Sequence, residues 1–152
     1  MKRYLFLLLI ALSAPAKAQS EVYFRATAPN PDGRISTELT LIQSGQANQL
    51  RYSAEAAGSP AAGSPVRLRQ EGDHNLLEVE LGRTGQPHAF TQQGDYNVTR
   101  WQGGSESGPV EVIQQGNGNL LLQTGGTAAG GAGLRIEQSG GIRMHLQNGP
   151  NP

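Results

Sequence analysis

Cysteine is absent from the 152 residues, which excludes a disulfide framework, a thiolate nucleophile and any thiolate metal centre. Aromatic residues make up only 5% of the chain, so stacked rings cannot fill a large core. Lysine occurs only as Lys2 and Lys17. Beyond residue 18, nine arginines stand against twelve carboxylates, a formal charge of −3. That balance argues against polyanion binding and against nucleic-acid specificity. The longest apolar run, Tyr4 to Leu12, falls well short of the roughly 20 residues that a membrane-spanning helix needs. With 36% hydrophobic residues, many of them in that run, a thick globular core is out of reach and a repetitive architecture is expected.

The N-terminus has the three-part layout of a secretory signal over residues 1–18. Met1-Lys2-Arg3 precedes the apolar run, and Ala16-Lys17-Ala18 follows it, placing the expected cleavage between Ala18 and Gln19. The mature chain would begin at Gln19, exported and not membrane-spanning.

That chain repeats the pattern Q-x-G-x-x-N. It occurs as Gln43, Gly45 and Asn48; as Gln70, Gly72 and Asn75; as Gln92, Gly94 and Asn97; and as Gln114, Gly116 and Asn119. A fifth copy keeps Gln138 and Gly140 but has Arg143 where Asn is expected. The steps from one Gln to the next are similar in length, and the first is the longest. Before each Gln, apolar residues alternate in its phase: Leu39 and Leu41, Val66 and Leu68, His88 and Phe90, Val110 and Val112, Leu134 and Ile136. After each Asn, alternation resumes through Leu50 and Tyr52, through Leu77, Val79 and Leu81, through Thr99 and Trp101, and through Leu121 and Gln123. Period two means strand, so each repeat reads as strand, tight turn, strand. Gly supplies positive φ in the turn, and Asn or Asp tolerates the left-handed region. The connections on the other side, Ala54 to Pro65, Gly82 to Pro87, Gly103 to Pro109 and Thr124 to Gly133, are rich in Gly, Pro, Ser and Ala and absorb the uneven spacing as surface loops.

A lone strand pair cannot bury its inner face, so the repeats must stack. The expectation is an all-β, β-helix-like solenoid of five rungs over residues 39–53, 66–81, 88–102, 110–123 and 134–147, roughly 24 Å tall at about 4.8 Å per rung. In register, the Gln and Asn columns form amide ladders. Out of register, each buried amide would cost about 1 to 3 kcal/mol. In the fifth repeat an inward path through Ile142, Met144 and Leu146 makes the turn one residue shorter and turns Arg143 and His145 outward.

Q-x-G-x-x-N at this period, between short strands and behind a secretory signal, resembles the curlin repeat of bacterial curli fibre subunits. The resemblance covers residues 39–152 in outline and Leu39 to Leu146 in detail. Residues 19–38 sit where curlins carry a segment recognised by their outer-membrane secretion channel. The resemblance implies a secreted functional amyloid that reaches the cell surface through the periplasm and assembles with itself and other curlin subunits into adhesive biofilm fibres. Curlin repeats close with a second Gln, for which Gln102, Gln123 and Gln147 are the candidates here. In curli a minor subunit nucleates the major one and ends in a positively charged repeat; Arg135, Arg143 and His145 are similar to that and leave a nucleator role open.

Other chemistries lack their signatures. His74, His88 and His145 have no metal-ligand spacing, and only Asp73 and Asp95 occupy the turn positions that a calcium-binding repeat would fill in every rung. Glu71, Asp73 and Asp95 align across two rungs only and read as a solvated face, so neither an enzyme nor a cofactor is expected. Trp101 and Tyr52 read as core before sugar platform. Asn97-Val98-Thr99 matches a glycosylation acceptor, but Asn97 belongs to the repeat. The glycine-rich stretches lack the Lys and helix of a phosphate loop. The alternative from another class is a monomeric, secreted β-solenoid binding module or adhesin.

Overall fold

The computed structural model describes residues 10–13, 22–29, 35–54, 64–82, 86–103, 108–125 and 133–147. The expected cleavage site at Ala18 and Gln19 lies outside them. Among the described residues the chain is all β: a solenoid of two parallel sheets whose inner faces meet in a narrow core.

Two strands come first, the short β1 (Ile10–Ser13) and the longer β2 (Val22–Pro29). Five strand pairs follow: β3 (Ile35–Ser44) with β4 (Gln49–Ala54), β5 (Ser64–Glu71) with β6 (Leu76–Leu81), β7 (His88–Gln93) with β8 (Val98–Gly103), β9 (Val110–Gln115) with β10 (Leu120–Thr124), and β11 (Leu134–Ser139) with β12 (Arg143–Gln147). The first member of each pair lies in one sheet, in the order β11-β9-β7-β5-β3-β2. The second lies in the other, in the order β1-β4-β6-β8-β10-β12. Each pair is one rung.

Register is strict despite the uneven repeat length. Gln43, Gln70, Gln92, Gln114 and Gln138 are consecutive partners, as are Leu50, Leu77, Thr99, Leu121 and Met144. Alternation explains this, because a slip of one residue would turn a buried column outward. The core stacks Leu41, Leu68, Phe90, Val112 and Ile136 against Leu50, Leu77 and Leu121. Within the third rung, Phe90 and Trp101 meet edge to face at 5.6 Å, a geometry that aromatic quadrupoles favour.

The first rung departs from the sequence expectation. β3 begins at Ile35, ahead of Leu39, and Ser64 and Pro65 belong to β5. β2 runs antiparallel along the outer edge of β3, from Val22 opposite Gln43 to Pro29 opposite Ile35, with a register shift between Ala28 and Pro29. β1, inside the segment read as a signal, lies antiparallel on β4. Among the described residues, no strand pairs with the last rung on the side away from β9 and β10.

Candidate functional site

The turn begins with backbone shape. Gly45, Gly72, Gly94 and Gly116 all have positive φ, between 82° and 110°. The glycines also crowd one another: a Cβ on Gly72 would fall 2.3 Å from the Gly94 carbonyl oxygen, and one on Gly94 would fall 2.5 Å from that of Gly116. Both conformation and space therefore demand glycine. The second left-handed residue is Ala47, His74, Tyr96 or Gly118. It is not the Asx position for which the sequence argued.

The Asx residues act as acceptors instead. Asp73 Oδ1 accepts the backbone N–H of Gln46 (2.7 Å), Asp95 Oδ1 that of Asp73 (2.8 Å) and Asn117 Oδ1 that of Asp95 (2.8 Å). Asp73 and Asp95 are thus structural ties between turns, which corrects their reading as merely solvated. Beside them the rings of His74 and Tyr96 stack at 4.9 Å and 12°, although Tyr96 is 62% exposed.

Two amide ladders run inside the turns. Gln43 Nε2 donates to Gln70 Oε1 (3.4 Å), Gln70 to Gln92 (2.8 Å), Gln92 to Gln114 (2.9 Å) and Gln114 to Gln138 (2.7 Å). The same nitrogens donate across the interior to the opposite sheet one rung back, Gln70 to the Gln49 carbonyl, Gln92 to Leu76, Gln114 to Val98 and Gln138 to Leu120, at 3.0 to 3.1 Å. Each interior Gln thereby joins its neighbouring rung and the opposite sheet. All five are essentially buried, so full pairing is what makes their burial tolerable.

The Asn ladder works through the backbone. Asn48 Oδ1 accepts the N–H of Asn75 (2.9 Å), Asn75 that of Asn97 (2.9 Å) and Asn97 that of Asn119 (3.1 Å). The Nδ2 groups of Asn48, Asn75 and Asn97 donate forward to the carbonyls of Gly72 (2.6 Å), Gly94 (2.7 Å) and Gly116 (2.8 Å). This column ends differently. Ile142 immediately precedes Arg143, the partner of Leu120, so it takes the place of the Asn. Asn119 Oδ1 there accepts the N–H groups of both Gly141 and Ile142 (3.1 Å each). Ile142, expected to face inward, is exposed at 44%; Met144 and Leu146 are half-buried, and Arg143, His145 and Gln147 are exposed.

Of the closing glutamines, Gln123 alone is buried; Gln102 and Gln147 point outward. Parity decides this, since Gln123 shares the phase of Asn119 along its strand and Gln102 is out of phase with Asn97. Gln123 neighbours Trp101 in register. Among the described residues, the buried Trp101 Nε1 and Gln123 Oε1 have no hydrogen-bond partner. His88 is 1% exposed, and burial pushes its pKa down to about 4. Burial likewise raises the pKa of the Tyr52 phenol to about 12.

The outer faces carry ion pairs that sequence reasoning missed. Between rungs, Glu78 joins Arg51 (3.4 Å) and Arg100 (2.9 Å) and Arg135 joins Glu111 (2.7 Å); within β11, Arg135 also joins Glu137. These contacts raise the pKa of Arg135, the Glu137 hydrogen bond most. The hydrogen bond from Arg69 holds the carboxyl of Glu71 below its usual range. The signal was opposite charges one repeat apart, as in Glu78 and Arg100. Among the described residues no three His, Asp or Glu side chains converge as metal ligands. A depression of about 530 Å³ on the outer face, where the first strands begin, is lined by Pro65, Pro87, Pro109, Arg67 and Ala89 among others.

No family model matches the chain, and no curated protein or solved structure shows significant similarity to it.

Proposed function

We propose that the chain is a secreted structural subunit of curli-like extracellular amyloid fibres, assembling by continuation of its own ladders. The observation that carries this reading is the in-register, hydrogen-bonded Gln column from Gln43 to Gln138, which ends on a rung that no further described strand covers. Stacked buried amides of this kind are the side-chain motif of cross-β assemblies, and an uncovered parallel edge is a template for another strand. On this reading the role is mechanical and adhesive, not catalytic. The partners are further copies, other curlin-type subunits and an outer-membrane secretion channel reached through the periplasm. Arg135, Arg143 and His145 at the last rung keep the nucleator as a variant of the same role.

The test is to recover the mature chain under denaturant, dilute it, and follow amyloid-dye fluorescence, electron microscopy and fibre diffraction. Fibres with the inter-strand reflection at about 4.7 Å and the inter-sheet reflection at about 10 Å, after a lag that preformed seeds abolish, are expected of the subunit. Fibres that appear only after a second curlin-type chain is added would favour a partner-dependent role. A persistent soluble β-rich monomer would overturn the fibre reading and favour a secreted binding module. The depression beside Pro65, Pro87 and Pro109 is the observation that speaks for that second reading.

A further inference from the structure

We infer that β2 is an exchangeable cap, and that the edge of β3 beneath it is the docking surface for β11 of a second copy of this chain. The inference rests on the fibre reading and adds a control element to it. From β3 to β11 every pairing in this sheet is parallel; β2 alone is antiparallel. An antiparallel neighbour sets Val22 opposite Gln43, so the Gln column stops there. A parallel β11 in the same place would set Gln138 over Gln43 and continue it.

The polarity of the ladder fits that exchange. Each Gln donates Nε2 to Oε1 of the next rung, so Gln43 is the one member to which no ladder amide donates. At the other end the Gln138 amide, after its bond to Leu120, has only the Ile142 carbonyl at 3.4 Å. Interior members place the equivalent hydrogen on the next Gln at 2.7 to 2.9 Å. Donor and acceptor at the two ends therefore complement each other, and a weak bond would be replaced by one of ordinary length.

The Asn column cannot make the same ladder joint. Ile142 stands in the Asn column and has no side-chain oxygen to receive the N–H of Asn48 from a following copy. The side-chain ladder can thus continue only in the sheet that β2 covers. Cleavage before Gln19 would remove β1 from β4 and leave β2 as the remaining cover on the first rung. The register shift between Ala28 and Pro29 breaks the pairing at one end of β2, where a proline lacks the N–H a ladder needs. Peeling can start there.

The absence of cysteine provides a direct test. Arg25 and Thr40 are register partners, and paired antiparallel residues place their Cα atoms about 4.5 to 5.5 Å apart, within disulfide reach. The exported chain carrying Arg25→Cys and Thr40→Cys would be followed by dye fluorescence, with and without parent seeds, first oxidised and then reduced. Locked β2 is expected to slow elongation by roughly tenfold or more, and reduction of the same sample to restore it. Equal rates in the two states would overturn the inference while leaving the fibre reading intact. In the unmodified chain, hydrogen exchange supplies an independent arm. The alternate amides between Val22 and Ala28 that bond to β3 should be protected in the monomer and lose protection in fibres, and protection retained in fibres would equally overturn the exchange. If the parent forms no fibres at all, the fibre reading falls and this inference with it.

Discussion

Gln92 donates one amide hydrogen to Oε1 of Gln114, one rung further along the solenoid, at 2.9 Å and the other to the carbonyl of Leu76 at 3.0 Å. Its own Oε1 accepts from Gln70 at 2.8 Å. Gln92→Ala therefore strips partners from two neighbours at once and leaves buried polar groups unsatisfied, at about 1 to 3 kcal/mol each. Gln138→Ala removes the acceptor of Gln114 and the donor to the Leu120 carbonyl, but at an end rung it takes a partner from only one ladder glutamine, so its cost should be smaller. Urea unfolding of the two variants against the parent checks the order. Equal costs would show that the ladder is not cooperative along its length.

The turn glycines should divide into two classes. Gly94→Ala meets both a φ of +101° and a carbonyl oxygen 2.5 Å from the new Cβ, so it should destabilise by well over about 2 kcal/mol or prevent folding. Gly118 has a φ of +73° but nothing within 4 Å. Gly118→Ala should cost only about 1 kcal/mol, the penalty for a left-handed alanine. Thermal midpoints measured by circular dichroism would separate the two.

Asp95 offers a test of charge against geometry. Its Oδ1 accepts the N–H of Asp73, a role that Asn117 fills without charge one rung later. Asp95→Asn should be near neutral at pH 7, and Asp95→Ala should lose about 1 kcal/mol for the missing acceptor. Equal losses in both variants would make the carboxylate charge the determinant.

His88 makes stability depend on pH in a definite direction. Its folded pKa near 4 lies below the ordinary value of about 6.5, so the unfolded chain binds the proton more tightly. Stability from the neutral imidazole is complete above about pH 6.5 and is lost as the pH falls toward 4, by about 3 kcal/mol in all. Val66 and Val110 are its register partners, so an apolar residue suits the site. His88→Leu should flatten the denaturation midpoint between about pH 6.5 and 5, above the range where carboxylates titrate. A parent chain with no slope in that window would contradict the assignment.

How much of this was legible in the sequence depends on which interactions repeat. The strand phases, the two amide columns and the core faces follow from period-two alternation anchored by a recurring Gln-to-Asn turn. The outward direction of Gln102 and Gln147 was readable from parity but was obscured by the curlin pattern, in which a closing glutamine is expected. The Asp73 and Asp95 bonds were not readable, because a turn carboxylate looks the same whether it meets water or the preceding turn's amide. β2 was hidden for a different reason. Its antiparallel pairing to β3 is a contact made once, and self-similarity along a chain cannot point to a contact that does not recur.

The strict register across unequal repeats has a consequence for how positions along the axis are assigned. More chain separates Gln43 from Gln70 than Gln70 from Gln92, yet each pair is offset by one rung. Height in the molecule is therefore counted in rungs and is indifferent to contour length. The Q-x-G-x-x-N turns set the scale, and the surplus of chain lies between the paired strands. A foreign peptide spliced between Ala54 and Ser64 should leave Gln70 the partner of Gln43 and move no graduation above it, which makes the chain a ruler whose marks do not depend on its length.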